Sequence, residues 1–169
     1  MLAHFGHFDR GRKAGDKLTG TWEYHAAMLM GDHPQRAVFA DLSYSQAALI
    51  RDTGNTFRLE TVRMLKEMRR LFPLLEQRLL FGTDWSMVGQ EEKFVSGSAN
   101  GGMAATMDDM LEAAGFGADA RRAVMFGNAG VFFGLGESGA APGNAARLRA
   151  FYAAHGLPDA WLDDFKPHP

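Results

Sequence analysis

The chain has 169 residues, 46% hydrophobic and 22% charged, with 18 Lys and Arg against 20 Asp and Glu, the profile of one globular domain. A net charge of −2 offers no cluster of cations to displace counterions from a phosphate backbone, so no nucleic-acid partner is expected. The lack of cysteine excludes disulfides, thiolate nucleophiles, Cys-ligated zinc and iron–sulfur clusters, leaving His, Asp, Glu and backbone oxygen for any metal.

In chain order, a first apolar run covers residues 1–5, and helical spacing follows at 21–30, where Trp22, Ala26 and Leu29 make one stripe and Gly31 stands as a stop. A second run, 37–42, reads as a strand, after which Ser43 or Ser45 can cap a short helix ending before Gly54. Residues 56–72 give the clearest helix: Val62, Leu65, Met68 and Phe72 form its stripe, Arg58, Lys66 and Arg70 lie elsewhere, and Pro73 ends it. A third run, 78–83, reads as a buried strand delivering Asp84 at its end.

Beyond a Gly- and Ser-rich loop at 96–102 come helical patterns at 103–114, 119–126 and 145–155, the last between Asn144 and Gly156. The connector 134–143 sets off a C-terminal tail, so we divide the chain into residues 1–136 and a helical tail, 137–169, packing on them. Three apolar runs alternating with helices predict an α/β fold with parallel strands, whose open edges invite pairing with another copy as a homo-oligomer. The longest uncharged stretch, 123–136, holds four glycines and an asparagine and is not a membrane span, and His4, His7 and Asp9 interrupt any signal segment. A cytoplasmic protein with no membrane partner is expected.

Two residues carry the strongest chemical signal. His4 and Asp84 each stand at the end of an expected strand, and parallel strands would aim both at one end of the sheet. An imidazole nitrogen and a carboxylate suit zinc or a similar divalent ion, and the carboxylate can accept a proton from an activated water. The plainer alternative makes Asp84 a loop cap and His4 a terminal histidine. Asp41, at the end of the second run, shares that placement.

The strings Leu-Ala-His-Phe-Gly, Val-Phe-Ala-Asp-Leu-Ser, Leu-Leu-Phe-Gly-Thr-Asp-Trp and Phe-Gly-Asn-Ala occur in that order across roughly residues 1–135. Together they resemble the amidohydrolase-related family, metal-dependent TIM-barrel hydrolases and decarboxylases. The resemblance implies a partial (β/α)8 barrel: about the last three βα units plus the C-terminal tail, where a whole barrel typically needs ~250 residues. It implies His4 and Asp84 as metal and catalytic residues, Asp84 as proton acceptor, and Asn128 as a structural residue holding the closing helix. In that family the position of Asp41 is not a metal ligand, so Asp41 is left out of the expected site.

The implied activity is hydrolysis of a C–N or C–C bond, or non-oxidative decarboxylation, of a small carboxylated substrate with a divalent metal, zinc above others. No His-x-His of the family's first strand is present, and the first run is short, so the chain is expected to be the C-terminal part of a longer barrel. In the basic stretch after the first run, Arg12 is the expected bidentate partner of a substrate carboxylate, the alternative being a solvated charged face. A catalytically inactive fragment, serving as a structural or oligomerisation module, is the competing expectation.

Gly134, Gly136 and Gly139 spell G-x-G-x-x-G, with Asp159 twenty residues further on, but no helix begins at the third glycine to face a pyrophosphate. No G-x-x-x-x-G-K-[ST] or G-x-S-x-G pattern occurs. His25 and His155 read as structural residues on helices.

Overall fold

A computed structural model describes residues 1–2, 5, 17–43, 56–82, 102–135 and 143–165. After a 3-10 turn at Leu18–Gly20, Thr21 opens helix α1 (Trp22–Asp32) by accepting the Tyr24 amide on its side-chain oxygen at 3.0 Å. That supplies a partner for one of the amides the first turn leaves unbonded. The buried stripe of α1 is Glu23, Ala26, Ala27 and Met30, whereas Trp22 and Leu29 are each 42% exposed. Both stripes have helical spacing, so spacing could not choose between them; Trp22 instead lies at the rim, edge-on to Phe5 at 5.9 Å. The helix also runs through Gly31 and stops at His33, whose amide bonds the Leu29 carbonyl.

Strand β1 is Ala40–Asp41. Helix α2 (Thr56–Leu71) buries Thr61, Met64, Leu65 and Met68, with Phe57, Val62 and Phe72 packed at the flanks. Pro73 ends it as expected, because proline has no amide to continue the ladder, and it starts a 3-10 turn at Pro73–Gln77. Strand β2 (Leu79–Leu80) follows. Helix α3 (Gly102–Ala113) buries Met103, Thr106, Met107, Met110 and Leu111 against the same core.

A single helical run then extends well beyond the 119–126 expected. It comprises α4 (Ala118–Arg122), one π-helical turn (Ala123–Gly127) and α5 (Asn128–Phe133). Helix α6 (Gly143–Ala154) and a 3-10 turn at Ala160–Phe165 complete the described chain. Asn144 does not cap α6; its Nδ2 donates to the Phe133 carbonyl at 2.7 Å. Gly156, at φ +63°, does lie just past the helix end. Phe165 returns to stack on Phe126, ring centroids 4.2 Å apart. The expected helix before Gly54 and the 96–101 loop lie outside the described residues.

The expected α/β class, a partial (β/α)8 TIM barrel of three βα units, is corrected by this architecture. Helix accounts for 71% of the described residues, and the sheet is two parallel strands of two residues each. The three apolar runs do come side by side: Leu2 bridges Ala40 in parallel, and Ala40–Asp41 pairs with Leu79–Leu80.

What keeps the ladder short is competition for its amides. Before the strands, turns claim Val38 N–H for the Arg36 carbonyl and Arg78 N–H for the Leu75 carbonyl. After them, Ser43 N–H goes to the Asp41 side chain and Phe81 N–H to the Val124 carbonyl of the π-turn. Runs of six apolar residues therefore yield two paired residues each, and helices, not further strands, cover what remains.

Candidate functional site at the end of the parallel pair

Alternation along a strand gives the sheet two faces. Ala40, Leu42 and Leu79 belong to the buried apolar core built by α1, α2 and α3, with Phe81 packed against it. Phe39, Asp41 and Ser43 occupy the other face of the first strand, and Leu80 and Gly82 share it on the second. At its N-terminal end that opposite face is apolar: Phe39 meets Phe132 of α5 edge-on at 5.4 Å, and the Arg78 guanidinium lies 5.0 Å from the Phe39 ring. At its C-terminal end it is polar.

Asp41 and Ser43 form that polar end, and both are only 6% exposed. The Asp41 Oδ1 accepts the Ser43 amide at 3.0 Å and also the Ser43 hydroxyl. The two donors turn the chain where β1 stops, because Ser43's amide then has no need of a neighbouring strand. Gly82 passes directly beneath. A Cβ on it would stand 3.2 Å from Ser43 Cβ, 3.3 Å from Asp41 Cβ and 3.4 Å from Asp41 Oδ1, so a side chain here would require the Asp–Ser turn to give by a few tenths of an ångström.

The far side of β2 is closed by the helical run. Asn128 Nδ2 donates to the Glu76 and Leu79 carbonyls, each at 2.8 Å, and the Val124 carbonyl accepts Phe81 N–H at 2.8 Å. Asn128 is thus the structural residue anticipated, tying α5 to the strand. The π-turn, which carries an additional residue relative to an α-helical turn, presents Val124 to the strand edge. The Leu79 carbonyl and the Phe81 amide, both on this edge, are thereby satisfied.

His4, Asp84 and Arg12, the residues singled out from the sequence, lie outside the described residues. Leu2 and Phe5 both donate amide hydrogen bonds to β1 or the residue before it, to the Asp41 carbonyl in the case of Phe5. Gly82 is two residues before Asp84. Among the described residues no group of three or more His, Asp or Glu could hold a metal ion.

Sequence reasoning set Asp41 aside and read Ser43 or Ser45 as a helix cap. The signal that finds them is the period-two pattern Phe39, Asp41, Ser43 against Ala40 and Leu42, in which two polar residues take consecutive places on one face of an apolar run. The glycine-rich decoy has lost its acidic partner: Asp159 pairs with Arg149 at 3.1 Å, and Asp163 joins them at 2.7 Å. Hydrogen bonds from the Arg149 guanidinium to Asp163 and Asp159 raise its pKa above the ordinary arginine value.

Among the described residues, no helix is long and apolar enough to cross a membrane. No protein-family model, curated protein or solved structure matches the chain.

Proposed function

We propose that the chain carries out metal-dependent hydrolysis of a C–N or C–C bond, or non-oxidative decarboxylation, of the amidohydrolase-related kind that its strings resemble. Its substrate is a small carboxylated molecule, its setting the cytoplasm, and its metal zinc, held by His4 and Asp84. The observation that supports this reading is the buried Asp41–Ser43 turn. It places a carboxylate on the sheet face turned away from the helical core, at the end where β2 runs on toward Asp84.

A buried carboxylate is costly unless compensated, and here it closes the end of the parallel pair. The donor types also fit the ion: imidazole nitrogen and carboxylate oxygen are ordinary zinc ligands. A divalent ion held there would supply Lewis acidity and acidify a bound water. Asp84 would be the residue to accept a proton from that water and pass it to the leaving group, a role open to a carboxylate. Arg12, with its planar fork of donors, grips the substrate carboxylate and sets the reacting carbon in place.

Metal content tests this directly. Untagged protein loaded with zinc and dialysed should keep about one ion per chain by elemental analysis, and His4→Ala and Asp84→Ala should each lose it. A chain that retains none, or whose ion is indifferent to both substitutions, would be a non-catalytic module.

A further inference from the structure

The C-terminal tail, residues 143–165, holds itself together by contacts of its own. Arg149 of α6 pairs with Asp159 at 3.1 Å and with Asp163 at 2.7 Å, and Tyr152 meets Trp161 edge-on at 5.9 Å. The Leu157 amide closes the end of α6 on the Tyr152 carbonyl at 2.9 Å. The 3-10 turn at Ala160–Phe165 therefore lies back along α6, with Leu162 as its buried apolar residue. Toward the rest of the molecule α6 buries no residue, and Phe151 on it is 53% exposed.

The tail meets the helical run near both of its ends. At the start, Asn144 Nδ2 donates to the Phe133 carbonyl at 2.7 Å. At the far end, the Phe165 ring stacks on Phe126 with centroids 4.2 Å apart and planes 15° from parallel, and it lies against Gly130 so closely that a Cβ there would overlap it. Phe126 and Gly130, four positions apart, share the outer face of the run. Val124 and Asn128, two positions from each along the helix, serve the opposite face, where they hold β2.

A segment with few buried apolar contacts opens at a small fraction of the global unfolding free energy. Here the contacts inside the tail do not depend on those to the run, so parting Phe165 from its seat leaves the Arg149 and Tyr152 contacts intact. We propose that residues 143–165 are a strap that moves as one piece, hinged near Asn144 and latched by the Phe165 ring in the notch between Phe126 and Gly130. Latched, the strap fills the notch with its own phenyl ring. Released, it leaves an aromatic seat open on the outer face of the run while β2 stays held on the inner face.

The chain has no cysteine, so Lys66→Cys on α2 and Arg147→Cys on α6, both at exposed positions, give two unique sites for spin labels. Pulsed electron–electron resonance then reads the distance from body to strap, and circular dichroism reads helicity. The labelled parent should show one dominant distance. Phe165→Ala, which removes the latch, and Gly130→Ala, which closes the notch, should each raise the longer-distance share roughly two- to tenfold, the worth of one aromatic pair, with helicity unchanged.

Gly130→Ala leaves every side chain of the tail in place, and it decides the matter if Phe165→Ala does not fold. The parent's distance distribution in both variants would overturn the latch. Longer distances accompanied by loss of α6 helicity would overturn the strap as a single moving piece, since the tail would then unfold on release.

Discussion

The two faces of the short sheet are made from the same four or five residues per run, yet they have opposite fates. Ala40, Leu42 and Leu79 are fully buried in a continuous methionine- and leucine-rich core with α1, α2 and α3. On the reverse face Phe39, Leu80, Asp41 and Ser43 are buried as well, but that face ends in a hydrogen-bonded carboxylate and hydroxyl. Burial alone therefore does not distinguish framework from site. The chemistry of what is buried does, because apolar burial stabilises the fold while a buried carboxylate must be compensated by a specific partner.

That contrast is broken most forcefully on the core face. Leu79→Ala removes a fully buried side chain at the point where β2, α1–α3 and the Asn128 tether meet, and should destabilise by roughly 2–5 kcal/mol. Denaturant unfolding measures it. If Asp41→Asn cost as much in the same experiment, the polar face would be framework too, and the difference between the faces would vanish.

A smaller effect is expected at the strand's outer edge. Asn128→Ala leaves the Glu76 and Leu79 carbonyls without their side-chain donor and should cost roughly 1–3 kcal/mol. Hydrogen exchange localises it: the Phe81 amide, bonded to the Val124 carbonyl of the adjoining π-turn, should exchange faster than in wild type, while amides in the middle of α2 change only by the global loss. Equal acceleration everywhere would mean that Asn128 is not a local tether.

The helices around this sheet could be read from the sequence because their signals are local. Val62, Leu65 and Met68 lie on or beside the buried side of α2, and Pro73 ends it by its own covalent structure. The parallel sense of the three apolar runs was readable as well. Their pairing length was not, since it depends on which distant group reaches each amide first: the Asp41 side chain for Ser43 and the Val124 carbonyl for Phe81, the latter 43 positions away in sequence. For the same reason the fold came out helical where a fragment of a barrel was expected. The face of α1 was ambiguous at a subtler level, where two stripes one residue apart share one period and only the position of Phe5 and the sheet selects between them.

The C-terminal tail offers the smallest and most selective effect, because two opposing contributions meet at one atom. Gly130 sits inside α5 directly under the Phe165 ring, and a Cβ there would overlap the ring itself. In a helix interior, replacing glycine with alanine ordinarily gains about 1 kcal/mol. Here that gain is opposed by expulsion of Phe165 and loss of its stacking on Phe126, a contact worth roughly 0.5–1.5 kcal/mol. Gly130→Ala should therefore leave global melting nearly unchanged while releasing the tail, seen as faster limited proteolysis between residues 136 and 165. Combining Gly130→Ala with Phe165→Ala removes the clash and should melt above Phe165→Ala alone, since the helix then keeps its gain with nothing to displace. Wild-type proteolysis in Gly130→Ala would show that the ring does not rest on Gly130, and the tail would then rest on the Asn144 side-chain bond to the Phe133 carbonyl of α5, which Asn144→Ala should release.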